Sequence, residues 1–564
     1  MSRAFSIFVF ILTGIFFACF FAYPIANTLQ GAFLDSQGHF TIAFIAEVFR
    51  NPIYLEGLAN ALFFGVTSTL LSIAIALPLA FIADRYLFTG KKLLTALLLI
   101  PMILPPFVGA IGVKQILGEQ GSLNALLITL GWMNSQHLTD WLGANRSLGI
   151  IIMNALHLYP ILYLNIVAAL ANIDPAMEEA AENLGCTGLR KFYRITLPLI
   201  MPGLFAGGTI VFIWAFTELG VPLMFDFTRV TSVQIFYGIK DIGANPFPYA
   251  LVVVMLTTTV LFYALSKVTF GRSSHAMMAK ATSQGGPRAI NPLGSALCTL
   301  LFCAVVFLAM LPHLGVILVS FSKDWYATIL PHGWTFDHFK VALGHNLTLP
   351  SIQNSLKYAG LATIVDVILG IAIAYVITRT RLIGRELLDA MAMLPLAVPG
   401  LVLAFGYLAM TQPGKFFSFM NPTIDPLMIL VIAYSIRRLP YMVRAAVAGL
   451  QQTSVTLEEA AQNLGCPPFK TLRKITIPLI SANLLAGGLL AFSFAMLEVS
   501  DSLILAQKQQ DFPITKAIFE LYQLLGEGRY IACALGVWAM AFLGVTMIGV
   551  SLLLGKKLGA IFRA

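Results

Sequence analysis

Charge is scarce in this sequence. Asp, Glu, Lys and Arg make up 11% of its 564 residues, whereas 58% are hydrophobic, and a chain with so little charge lies far outside the soluble globular range. Mean hydropathy is +0.84. No polar stretch is long enough to fold as a separate soluble catalytic domain. Cysteine is scarce as well: Cys19, Cys186, Cys298, Cys303, Cys466 and Cys533 fall mostly in or beside apolar runs, without ligand spacing. That pattern argues for neither disulfides nor a metal cluster, and no cofactor is expected. A phosphate-cradling loop needs Gly, four residues, then Gly-Lys-Ser/Thr. Gly90-Lys91-Lys92 and Gly555-Lys556-Lys557 lack both the upstream glycine and the hydroxyl, so the chain is no ATPase. The net charge of +9 is spread over short loops with no basic face, which argues against nucleic acid and for a membrane topology signal.

Long apolar runs are abundant. A hydrocarbon core about 30 Å thick needs about 20 apolar residues per helix. Such runs lie near 5–26, 58–83, 93–117, 148–172, 197–221, 247–269, 294–320, 352–378, 387–410, 427–449, 478–505 and 529–555. The expected fold is an all-α integral membrane protein with about twelve spans. The first run follows Arg3, but FACFFAYPIANTL offers only a weak cleavage site, so it reads as a retained span rather than a signal peptide.

The chain also repeats itself. EEAAENLGCTGLRKFYRITLPLIMPGLFAGG, from Glu178 to Gly208, returns from Glu458 to Gly488 as EEAAQNLGCPPFKTLRKITIPLISANLLAGG. ADRYLFTGKKLL at 83–94 returns as ITRTRLIGRELL at 377–388, and PMILPPFVG at 101–109 as PLAVPGLVL at 395–403. The change in offset places about 14 extra residues in the first half, around Gly118 to Arg146. Six spans per half is an even number, so the halves are parallel repeats and both copies of the long motif lie on one side of the membrane. The expected division is a first repeat at 1–270, a polar linker at 271–293 and a second repeat at 294–564. Loops on the side of the N-terminus carry about 20 Lys and Arg against about 10 opposite, which puts both termini, the linker and both repeated loops in the cytoplasm.

Within each repeated loop the local signals are consistent. Asp174-Pro175 is a good helix start, and Glu178 and Glu179 follow in the first turn or so, where the helix dipole favours negative charge. Gly185 and Gly465 stand where a short helix would end in a left-handed residue. A basic amphipathic segment then runs to Leu197-Pro198 or Ile477-Pro478 at the mouth of the next span. Each loop, 174–198 and 454–478, reads as helix, turn and second helix, and its near-verbatim return suggests two equivalent docking surfaces.

These residues resemble the EAA loop of type I ABC importer permeases: Glu-Ala-Ala, three residues, Gly, nine residues, Ile, one residue, Leu-Pro. Glu179, Ala180, Ala181, Gly185, Ile195, Leu197 and Pro198 match it. Glu459, Ala460, Ala461, Gly465, Ile475 and Pro478 match it again, with Ile477 in place of Leu. The resemblance extends over essentially the whole chain. It implies a fused permease in the bacterial cytoplasmic (inner) membrane, with Glu178, Glu179, Ala180, Ala181 and Gly185 and their counterparts Glu458, Glu459, Ala460, Ala461 and Gly465 coupling it to ATP hydrolysis. The implied partners are two copies of a cytoplasmic ABC ATPase subunit, a periplasmic or lipid-anchored solute-binding protein, and membrane lipid. Fused permeases of this length most resemble those for ferric iron, followed by those for thiamine and 2-aminoethylphosphonate. A secondary carrier would also have parallel repeats, but would not need two such loops on one side.

Ionisable residues within spans are costly, so they usually face the bundle interior. Glu218 and Glu498 occupy equivalent positions near the outer end of the fifth span of each half. They read either as a pair lining the translocation path or its gate, or as carboxyls that fix helix packing. Arg437, Arg438 and Arg444 lie in the tenth span, and His157 is the counterpart of Arg437. Arg437 and His157 are further path candidates, with interfacial snorkelling beside Pro440 as the other reading. Asp366 and Asp501 read as lone structural acids. His332, His338 and His345, with Asp324 and Asp337, match no metal-ligand pattern and read as a solvated loop.

Overall fold

The computed structural model describes residues 3–35, 37–102, 104–243, 245–270 and 288–554. Most of the expected linker at 271–293 lies outside the described residues. The first repeat contains α1 (Phe5–Phe33), α2 (Pro52–Arg85), α3 (Lys91–Met102), α4 (Pro106–Thr129) and α5 (Ser147–Ala171). It continues with α6 (Pro175–Asn183), α7 (Leu197–Phe216) and α8 (Phe247–Phe270). The second contains α9 (Pro292–Phe321), α10 (Thr348–Arg379), α11 (Arg385–Leu396) and α12 (Gly400–Met410). It ends with α13 (Leu427–Gln452), α14 (Thr456–Asn463), α15 (Ile477–Met496) and α16 (Gly528–Leu554).

Several helices start on the same device. Asn51, Asp174 and Asn291 each precede a proline, and their side-chain oxygens accept from the N–H groups of Ile53, Ala176 and Gly294 at 3.0, 3.0 and 2.9 Å. The side chain satisfies an orphan donor, while proline supplies a pre-set φ where no N–H is needed.

Among the described residues, nine helices are long and apolar enough to cross a membrane. The stretches 93–117 and 387–410, expected as plain spans, are instead sharply bent pairs: α11 meets α12 at 98°, and α3 with α4 is bent in the same manner. The bends fall at Pro105-Pro106 and at Pro399-Gly400, where proline cannot continue the hydrogen-bond ladder. The tenth expected span, α13, is 26 residues long, but Arg437, Arg438 and Arg444 leave it short of the apolarity of the others.

In each repeat α2, α5 and α7, or α10, α13 and α15, pack together. The first helix of each repeat crosses to the other. Helix α9 packs on α4 so closely that a Cβ on Gly112 would stand 2.6 Å from the Pro312 carbonyl oxygen, and one on Gly315 would stand 2.7 Å from Gly112 Cα. Helix α1 packs on α12, where the Tyr407 hydroxyl donates to the Phe20 carbonyl at 2.8 Å. Small residues permit such close backbone approach in a membrane interior, where helices gain little from burying apolar surface. After α2, Tyr86–Leu87 pairs in parallel with Arg288–Ala289, which joins the described end of the expected linker to the end of α2.

Candidate functional site

The two repeated loops have the same construction. Helix α6 ends in a left-handed Gly185 (φ +78°) and α14 in a left-handed Gly465 (φ +83°). The Cys186 N–H donates to the Ala181 carbonyl at 2.8 Å and the Gly185 N–H to that of Glu182 at 2.9 Å. The second loop repeats both bonds from Cys466 to Ala461 and from Gly465 to Gln462, at 3.0 and 2.9 Å. This nested pair is the Schellman turn, which satisfies carbonyls left over at a helix end.

The glutamates of each Glu-Glu pair point in different directions. Glu178 and Glu458 are buried, together with Ala181 and Ala461 three residues on, whereas Glu179, Ala180, Glu459 and Ala460 are exposed. Glu178 accepts from Arg85 at 2.7 Å and from the Thr196 hydroxyl at 2.9 Å. Glu458 accepts from Arg379 at 3.1 Å and from the Tyr375 hydroxyl at 3.2 Å. Arg85 and Arg379 end the equivalent helices α2 and α10, so each buried glutamate ties its loop to the bundle. Lys191 donates to Glu182 at 2.6 Å and, with help from Arg288, holds that carboxyl below its usual range. On the outer side of each turn Leu184 and Leu464 are 87% and 89% exposed. Sequence reading passed over these leucines, although an apolar residue just before each left-handed glycine was visible in both copies.

The four path candidates come together. A cavity of about 150 Å³ between the repeats is lined by Glu218, Glu498, His157 and Arg437. Equivalent neighbours line it as well: Trp214 and Phe494 from the ends of α7 and α15, and Pro105 and Pro399 from the two bends. Helices α7 and α15 stop at Phe216 and Met496, so both glutamates sit where a span breaks. In the second repeat Glu498 pairs with both Arg437 and Arg438, and Arg437 also reaches Asp501 at 3.4 Å. Neither Arg437 nor Arg438 therefore snorkels to an interface, and Asp501 is not a lone acid. Arg444 pairs with Asp389 at 3.3 Å, and Asp366 is buried without a hydrogen bond. In the first repeat Glu218 accepts from the N–H groups of Gly220 and Val221 at 3.0 and 3.2 Å.

The outer-loop histidines do not converge. His338 is buried, bonded to the Ser322 carbonyl at 2.9 Å and stacked on Tyr530, while the His345 ring accepts from the Leu347 N–H at 3.2 Å. Among the described residues no group of three or more His, Cys, Asp or Glu is placed to hold a metal ion.

Residues 76–273 and again 366–555 match the family described as "Binding-protein-dependent transport system inner membrane component". FbpB 1 of Haemophilus influenzae, provisionally named a ferric transport system permease protein, is 29% identical over 87% of this chain and 76% of its own length. The ferric transport system permease protein FbpB of Actinobacillus pleuropneumoniae is 30% identical over 81% of this chain and 64% of its own. The molybdenum transport system permease protein ModB of Escherichia coli is 30% identical over 28% of this chain and 66% of its own.

Proposed function

The chain belongs to the inner membrane components of binding-protein-dependent transport systems, and from that premise we propose that it is the fused permease of a ferric-iron importer. Both repeats carry the family match, so one polypeptide supplies the membrane subunit that such systems otherwise build from a pair. The observation that carries the reading is the duplicated loop. Two turns of equal geometry, each anchored by a buried glutamate paired with an arginine and each presenting an exposed leucine, suit two copies of one cytoplasmic ATPase subunit. In this reading Glu178, Ala181, Glu458 and Ala461 hold the coupling helices. Glu179, Ala180, Glu459, Ala460 and the turns at Gly185 and Gly465 meet the ATPases.

The cavity bearing Glu218, Glu498, Arg437 and His157 is the closed translocation path. A periplasmic or lipid-anchored binding protein delivers the solute at the opposite face. Both termini lie in the cytoplasm, as the Lys/Arg asymmetry suggests. Ferric iron as the substrate rests on the two relatives named for ferric transport.

The test is reconstitution with the ATPase and the binding protein in liposomes. Iron(III)-loaded binding protein should stimulate ATP hydrolysis and drive iron uptake without an ion gradient. Uptake on an ion gradient alone would make the chain a secondary carrier. ATP-driven uptake of thiamine or 2-aminoethylphosphonate instead of iron would change the substrate and leave the permease role standing.

A further inference from the structure

The central cavity carries an asymmetry that duplication alone does not require. In the second repeat both carboxylates are already paired, Glu498 with Arg437 and Arg438, and Asp501 with Arg437. Arg437 is wedged in place, since a Cβ on Gly400 would overlap its guanidinium. The first repeat has His157 where the second has Arg437, Leu158 where it has Arg438, and Val221 where it has Asp501. Glu218 therefore faces the cavity with no ion pair. One of its oxygens takes both backbone N–H bonds, and the other meets no protein donor. His157 Nδ1 lies 2.9 Å from the Pro101 carbonyl oxygen. A carbonyl only accepts, so Nδ1 carries the hydrogen and Nε2 of the neutral ring keeps its lone pair.

We infer that a metal cation in transit is held by the first repeat alone, through the Glu218 carboxylate and His157 Nε2, while Arg437 occupies the second repeat's carboxylates as a tethered cation. The inference rests on the importer reading above. Carboxylate, imidazole and water are all ligands that iron accepts. Two protein ligands leave the remaining coordination positions to water, and at about 30 Å³ per water a cavity of about 150 Å³ has room for a partly hydrated ion. A site with so few protein ligands releases what it binds, as a conducting path requires. On the paired side of the cavity, by contrast, both Glu498 oxygens are engaged by Arg437 and Arg438, and Asp501, whose Oδ1 is unpaired, does not line the cavity.

The test uses the complete importer in proteoliposomes, with iron(III) on its binding protein as probe, and reads iron uptake and stimulated ATP hydrolysis in parallel. Glu218→Gln and His157→Ala should each lower uptake by about tenfold or more, the scale of losing support at a metal site. Stimulated hydrolysis should stay within about twofold of wild type, because the coupling loops are untouched. Glu218→Asp, which keeps the charge, should take up more iron than Glu218→Gln. Wild-type uptake in either Glu218→Gln or His157→Ala overturns the inference. So does hydrolysis that falls in step with uptake, or Glu218→Asp no better than Glu218→Gln, because a packing role predicts both. If the unmutated importer hydrolyses ATP but moves no iron(III), the ferric reading itself fails, and the result is distinct from failure of the variants.

Discussion

At the residue scale, Gly185 and Gly465 are set apart by backbone conformation and not by crowding. Both have positive φ, yet a Cβ at either would meet nothing within 4 Å. A substitution there acts through conformation alone, at roughly 1–2 kcal/mol for an ordinary L-residue and less for Asn, which visits that region more readily. Gly185→Val and Gly465→Val should leave the folded bundle intact but redirect the turn, so binding-protein-stimulated ATPase activity falls in each single variant. Gly185→Asn should retain much more of it; equal loss in the Asn and Val variants would show that bulk, not φ, is what matters. The buried glutamates differ in support. Arg379 and Glu458 are each 7% exposed, whereas Arg85 is 26% exposed and has Asp84 as a second partner at 3.2 Å. Removing one member of a well-buried pair costs about 3–5 kcal/mol and an exposed one far less. Glu458→Ala should therefore lower the thermal midpoint of the purified protein more than Glu178→Ala, and the reverse order would contradict this account of the anchors.

At the element scale, the α4–α9 crossing depends on Gly112 and Gly315. A methyl on Gly112 would press on the carbonyl of Pro312, and backbone cannot rotate aside as a side chain can. Gly112→Ala should destabilise the protein by about 1–3 kcal/mol, the range for overpacking. Gly208→Ala, whose Cβ would find its nearest neighbour at 4.0 Å, should be close to neutral. Similar thermal shifts for the two would deny the crossing its importance. Much of this scale was legible in the sequence. Apolar runs located the spans, matching motifs aligned the repeats, and Gly185 and Gly465 marked their own turns. The bends at Pro105-Pro106 and Pro399-Gly400 were present as motifs, but hydropathy measures transfer into lipid and is blind to a chain that turns back. The direction of Glu178 was legible in part: it lies three residues from Ala181, on one helical face, and Arg85 recurs as Arg379 in the aligned repeat. Pairing of Glu498 with Arg437 and Arg438 joins residues about 60 apart, a contact that no local pattern encodes.

At the scale of the whole molecule, the repeats are interlocked and not merely joined. Helix α1 belongs by sequence to the first repeat but packs on α12 of the second, while α9 of the second packs on α4 of the first. The exchange was not legible, because an apolar helix is satisfied equally by lipid or by protein, and close packing between small residues chooses the partner. It has a consequence for a divided chain. A fragment ending at Phe270 would have α4 without α9 and α1 without α12, and a fragment beginning at Arg288 would lack the complementary surfaces. Each alone should be unstable in detergent and prone to aggregate or be degraded in the cell. Made together, the fragments should find each other, because the exchanged contacts are those between helices and do not need a covalent link. Co-expression with an affinity tag on the first fragment should recover the second in equal amount, and the purified pair should bind ATPase at both loops. The cavity would reform as well, since Glu218 and His157 come from one fragment, Glu498 and Arg437 from the other. Two fragments that each purify as stable, monodisperse monomers would show that the repeats fold independently and that the crossing of α1 and α9 is incidental.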